Sequence, residues 1–281
     1  MPVPRSLARR FATAFVATAA LASAGCRDEG PAASTVRTDA VTGPVTATGV
    51  GAPSGGPPAA PAIPSVADEC GGPAPAVRRV VLRTRPDVVR IAAAQVGSGP
   101  TAVVLVHQTD TTLCEWLPYA RRLAAGGHRA IAIDLRAHGV SDAAPARVMG
   151  RFDLDVAAAV RHARGRGARR VVLVGASLGG TVVLTAAAGV RPPVDAVVSL
   201  SGPARWPDLD AVRAVRGLRM PVLLVAGADD VQFARDARAL AKADPRADLL
   251  MLPTFEHGVQ LMEPGSPAER RVNALIASVS G

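Results

Sequence analysis

A chain of 281 residues, 49% of them apolar, can bury one sizeable core or two small ones. Only 3% are aromatic, and arginine supplies nearly all the positive charge, Lys242 being the only lysine. The formal charge of +9 comes with no aromatic-interleaved basic patch, metal-ligand cluster, phosphate-cradling loop or dinucleotide fingerprint. Nucleic acid is therefore excluded as a partner, and no metal or cofactor is implied.

The N-terminus reads as an export signal. Arg5, Arg9 and Arg10 precede an apolar stretch from Phe11 to Ala22, too short to span a bilayer. Ser23-Ala24-Gly25-Cys26 follows and resembles the lipobox of bacterial lipoproteins, in which the cysteine is acylated and becomes the mature N-terminus. It departs from that pattern at Ser23, where an aliphatic residue is preferred. The resemblance implies a lipid-anchored protein on the extracytoplasmic side of the cell membrane. The alternative is an ordinary signal peptide cut near Ala24 and a secreted product.

From Arg27 to Ala76 the chain is Pro, Gly, Ala, Ser and Thr with almost no large apolar residue, and it is expected to be a flexible tether. This linker is as acidic as the signal region is basic, which leaves the whole +9 on residues 77–281. If Cys26 is acylated, Cys70 and Cys114 remain as a pair, and outside the cytoplasm such a pair oxidises. The bridge would close a loop worth ~2–4 kcal/mol on the chain-entropy account. Two unpaired thiols are the alternative.

Val77 opens the expected folded domain. Val77–Leu82 and Val88–Ala94 read as an antiparallel edge hairpin, and Ala102–Val106 as a buried strand followed by a helix over Leu113–Ala125. Strands at Ala130–Asp134, Val171–Gly175, Ala196–Leu200, Val222–Ala226 and Leu249–Leu252 then alternate with helices. Those helices are expected at Asp153–Arg164, Thr181–Ala188, around Asp208–Val215, at Phe233–Ala241 and at Ala268–Val279. Apolar runs alternating with helices indicate a mostly parallel sheet covered on both faces. Sites in such sheets form at the carboxyl ends of strands, which here carry His107, Asp134, Ser177, Ser201, Asp230 and, beyond the last strand, His257.

At Val171–Thr181 the apolar run meets Gly175-Ala176-Ser177-Leu178-Gly179 and turns into a helical pattern. A G-x-S-x-G at a strand-to-helix corner pushes the serine hydroxyl out of the sheet. In order along the chain, Val103–His107, the turn Asp134–Asp142, Gly175–Gly179, Gly227–Asp230 and His257-Gly258 together resemble the α/β-hydrolase family over residues 77–281.

The resemblance implies a serine hydrolase forming an acyl-enzyme on Ser177, with His257 as base and an aspartate orienting it. Asp230, three after Gly227 and three before Phe233, is the expected acid, and Asp229 the alternative. The oxyanion donors implied are the backbone N–H groups of Leu178 and Thr109, and His107 is implied as a structural residue of that loop. The family's His-Gly is here His107-Gln108, so a side chain occupies a position usually kept small. His107, Gln108, Trp116 and Trp206 are candidate pocket residues. His128, His138 and His162 read as surface or turn residues.

Leu200 to Val222 leaves room for one helix and no cap domain. An open site suits bulky or surface-presented esters, thioesters or amides. A peptidase or acyltransferase of this fold remains an alternative. So does a non-catalytic relative that binds a cell-envelope ligand.

Overall fold

A computed structural model describes residues 61–281. Residues 1–26, with Cys26, and the linker up to residue 60 lie outside the described residues. The linker's expected end at Ala76 is corrected. Ser65 caps a short helix α1 (Val66–Cys70), its hydroxyl accepting from the Asp68 N–H, and Val66 is only 3% exposed. Glu69 pairs with Arg79 on the next strand, and Cys70 is joined to Cys114 with Cα atoms 5.5 Å apart. Composition hides this segment because its anchors are few: Val66, Glu69 and Cys70, with the Pro61, Pro64 and Ser65 carbonyls accepting from Arg90 and Arg79.

Strands β1 (Val77–Arg83) and β2 (Arg90–Val96) form the antiparallel edge. β3 (Thr101–Val106) is buried at every position, as an apolar run without alternation requires when both faces are covered. A 3₁₀ turn at Leu113–Trp116 leads into α2 (Leu117–Ala125), then β4 (Arg129–Ile133), α3 (Phe152–Gly165), β5 (Arg170–Ala176) and α4 (Leu178–Gly189). β6 (Ala196–Leu200) is followed by a small ribbon of β7 (Arg205–Trp206) and β8 (Leu209–Asp210) and by α5 (Ala211–Val215). β9 (Val222–Gly227), α6 (Val231–Ala243), β10 (Asp248–Leu252), a 3₁₀ turn at Gly258–Met262 and α7 (Pro267–Val279) complete the chain.

The main sheet has the order β1-β2-β4-β3-β5-β6-β9-β10. It is parallel from β4 to β10 and antiparallel at β1–β2 and β2–β4. Helices α3, α4, α5 and α6 bury their apolar sides on one face, around Val104, Leu173 and Leu224. Helices α1, α2 and α7 cover the other, around Leu105, Val174 and Val225. The register sets Val106 opposite both Gly175 and Ile133, so three strands end together and their following loops meet. Among the described residues no helix is long and apolar enough to cross a membrane.

Two buried acids hold the strand ends. Asp155 on α3 grips the fully buried Arg136 guanidinium (Oδ1 to Nη2, 2.7 Å), which also reaches Asp87 at 2.7 Å. Asp134, at the end of β4, accepts the Leu113 N–H at 2.8 Å and the Val140 N–H at 3.2 Å, fixing two loops at once. Burial, with the Glu69 carboxylate of α1 beside it, pushes the Asp134 carboxyl up to about 8. An acid whose pKa is raised by folding is held protonated in the native state. Its contribution to stability therefore falls as pH rises from its unfolded value, about 4, through 8. Melting temperature is expected to drop between about pH 4 and pH 8. Asp134→Asn, neutral throughout, should flatten that drop; an unchanged pH slope in the variant would refute the assignment.

Candidate active site

Ser177 sits between β5 and α4 with φ 48° and ψ −119°, outside the regions a serine favours. Its N–H donates to Leu200 O at 2.8 Å, which ties the corner to β6. The corner closes because Gly179 has no side chain: a Cβ there would lie 2.3 Å from Val106 O and 2.6 Å from His107 O. One on Gly175 would lie 2.1 Å from Gly179 O. Helix α4 starts at Leu178, three residues before the expected Thr181, because the two glycines after it are helical rather than part of the turn. Leu178 is thus the first helical residue, and its N–H lies outside the intrahelical ladder at the positive end of the helix.

His257 follows β10 and faces α6. Its Nδ1 lies 2.7 Å from Asp230 Oδ2. Asp230 is the N-cap residue of α6, yet its carboxylate makes no cap bond and is turned to the histidine instead. The neighbouring Asp229 is exposed and makes no such contact. The Phe233 ring packs edge-on against the imidazole, ring centroids 4.2 Å apart. With Nδ1 engaged by the carboxylate, Nε2 is the nitrogen left for a hydroxyl. Ser177 and His257 lie at the same end of the sheet, but no hydrogen bond joins them among the described residues. Such bonds commonly tighten only with substrate bound. The histidine loop is seated by Gly258, whose N–H donates to Ser201 Oγ at 3.1 Å.

Gln108 neither opens a pocket nor points away from the protein. Its backbone N–H donates to Glu115 Oε1 at 2.9 Å, and its Nε2 donates to Glu115 Oε2 at 3.1 Å. Its Oε1 accepts the Val259 N–H of the histidine loop at 3.3 Å. Gly258, with φ +55°, makes room for it: a Cβ at 258 would lie 1.8 Å from that oxygen. Glu115 precedes the 3₁₀ turn's last residue and follows Cys114 directly, so the disulfide holds the acid that holds Gln108. Burial raises the Glu115 pKa, partly offset by the two bonds from Gln108.

His107 is fully buried, its Nδ1 2.6 Å from Gln108 O and its Nε2 accepting the Leu135 N–H at 3.0 Å. Burial lowers its pKa to about 4, so it is neutral. His107 and Trp116 are therefore corrected as pocket candidates. Trp116 is fully buried under the α1–α2–α7 face, among Leu and Met side chains and with the Tyr119 ring 6.1 Å away. Trp206 is half-buried on β7 and packs against the opposite core. Thr109 is half-buried in the loop after β3, with its Oγ1 enclosed and unpartnered. His138 packs beside His107 at 5.1 Å, and His162 bonds Gln95 rather than standing free on the surface. Glu115 is the site neighbour that motif reading passes over; it stands inside no recognisable pattern, and only the fold brings it in.

Among curated protein sequences none matches the chain. Solved structures share its fold, three of them as follows. An esterase of Pyrococcus furiosus superposes with a TM-score of 0.63 at 18% identity, over 80% of this chain and 97% of that one. A thermophilic esterase of Thermogutta terrifontis gives 0.61 at 18%, over 73% and 100%. A putative aryl esterase of Burkholderia cenocepacia gives 0.59 at 20%, over 72% and 98%. Residues 99–278 match the family described as serine aminopeptidase, S33. That span holds the elbow, the Asp230–His257 pair and the whole parallel sheet, and on it the chain belongs to the serine aminopeptidase S33 family of α/β-hydrolases and is a hydrolase.

Proposed function

We propose that this chain is an exported serine hydrolase that cleaves carboxylic esters, with thioesters and amides within its chemical reach, through an acyl-enzyme on Ser177. The observation that carries the reading is the Asp230–His257 contact of 2.7 Å at the strand end where a strained serine stands. Ser177 Oγ attacks the acyl carbonyl while His257 Nε2 takes its proton. The carbonyl oxygen becomes an oxyanion facing the Leu178 N–H and, across the loop after β3, the Thr109 N–H. Collapse expels the alcohol, which leaves with the proton from Nε2. Water, deprotonated by the same nitrogen, then attacks the acyl carbon and frees Ser177. Asp230 holds the Nδ1–H tautomer throughout and stabilises the imidazolium.

Two large apolar side chains stand open beside this pair, Phe255 at 80% exposure and Val231 at 66%. They favour apolar substrates that meet the site from its rim. Export and lipid anchoring rest on Arg5 to Cys26, and the Cys70–Cys114 bridge fits an oxidising compartment. Gln108 and Glu115 act as positioning residues. The carboxylate accepts both Gln108 N–H groups, which forces the amide oxygen toward Val259 and the histidine loop.

A fluorophosphonate probe should label the wild type and fail on Ser177→Ala; a well-folded wild type that stays unlabelled would sink the enzyme reading. Asp230→Asn is expected to lower kcat by on the order of 10³–10⁴, and Asp229→Asn to leave it near wild type. Equal losses would contradict the choice of acid. Acyl esters of graded chain length, run beside aminoacyl anilides, separate esterase from peptidase.

The Gln108–Glu115 clamp has its own test. In Glu115→Gln one donor must face another, so Gln108 loses its hold on either Glu115 or Val259. Gln108→Glu sets two carboxylates against each other. Each is expected to lower kcat by roughly tenfold, about one lost buried hydrogen bond, with KM little changed. The double swap Q108E/E115Q restores every donor–acceptor pair and should recover most of the loss. Additive losses, or singles that behave as wild type, would remove Gln108 from a positioning role.

A further inference from the structure

At the end of the sheet opposite Ser177, where β4 begins, a cleft of about 600 Å³ is lined by Arg78, Arg129 and Arg166 with Gln95 and Ser98. None of the three arginines takes part in an ion pair among the described residues. Arg129 is only 5% exposed. Its Nη1 donates to Ala163 O at 3.1 Å and its Nη2 to Ser98 O at 2.8 Å, while its Nε is enclosed with no partner. Arg78 is pinned over the cleft, its Nη2 donating to Gln95 Oε1 at 3.0 Å, and the same oxygen receives His162 Nε2 at 3.0 Å.

A buried guanidinium held by two carbonyls and faced by two more guanidiniums is costly unless negative charge is supplied. Burial, then repulsion from Arg166 and Arg78, lowers the proton affinity of Arg129, and the same neighbours act on His162. The arginine-rich composition scatters guanidiniums over the surface. It does not account for one nine-tenths buried beside two others with no acid among them. We propose that this cleft is an anion site, built for a phosphate group that the Arg78, Arg129 and Arg166 guanidiniums hold together. Planar guanidinium forks match the oxygens of a phosphate better than a single carboxylate could use them. A free phosphate ion and a phospholipid headgroup present the same chemistry to these guanidiniums, and the test below separates the two sources.

The test is thermal unfolding of the full chain at fixed ionic strength, with chloride replaced either by inorganic phosphate or by glycerophosphoglycerol, the free headgroup of an anionic phospholipid. Binding should raise the Tm of the wild type by a few degrees at saturating probe. The shift should vanish in the double variant Arg78→Gln/Arg166→Gln, whose altered positions are exposed, and persist in Arg213→Gln on α5. A shift with inorganic phosphate alone assigns a free phosphate; one with the diester as well assigns a headgroup. No shift with either probe, or one that survives the double variant, overturns the proposal. Neither arm reads turnover, so the outcome is independent of the role given to Ser177.

Discussion

The approach of Gly179 to the end of β3 is the constraint on which the rest of the site depends. At 2.3 Å from Val106 O to the place a Cβ would occupy, the gap admits a hydrogen and nothing more. That contact lets α4 start directly against the sheet. It also drives Ser177 to a positive φ and aims the Leu178 N–H at the space between β5 and the loop after β3. A larger residue at 179 would lift the helix, and with it the Ser177–Leu200 bond that fixes the corner to β6. The strain at the serine is held in place by close packing on three sides.

A second constraint works through hydrogen-bond direction. An amide side chain has one accepting and one donating end, and a carboxylate only accepts. Glu115 therefore dictates which way Gln108 faces, and Gln108 in turn gives the Val259 N–H its acceptor. The glycine at 258 is a consequence, since its missing side chain is the space the amide oxygen fills. The loop carrying His257 is thus held from one side by Gln108 and from the other by Ser201, while Asp230 holds the ring itself.

The sheet and most helices were legible because their signals are local. Runs such as Val103–Val106 and Val171–Val174 have no polar alternation, and the helices between them carry period 3.6. The spacing to Gly227 and Phe233 favours Asp230 over Asp229, and Asp230 is the aspartate in contact with His257. What stayed hidden was cooperative. Helix α1 depends on a cysteine 44 residues away and on Arg79, neither of which changes the composition of its neighbourhood. Trp116 looked like a pocket wall because it neighbours the loop after β3 in sequence, yet the turn at Leu113–Trp116 rolls it into the core. The ribbon β7–β8 is two residues per strand, below what any periodicity can register.

Charge placement connects the two ends of the molecule. Most acids in the folded part are already committed: Asp155 and Asp87 to Arg136, Asp142 to Arg90, Glu269 to Arg122, Asp230 to His257. Those pairs sit where loops must be fixed around the carboxyl ends of the strands or where helices meet. At the start of β4, Arg78, Arg129 and Arg166 have no acid partner among the described residues, so positive charge collects there in part by subtraction. On the proposed mechanism, a positive end away from Ser177 would leave the developing oxyanion to local N–H dipoles, which are fixed and close, rather than to distant charges that solvent screens. The same subtraction leaves Arg129 buried and uncompensated, and an enclosed cation in that state favours any arrangement that brings an anion to it.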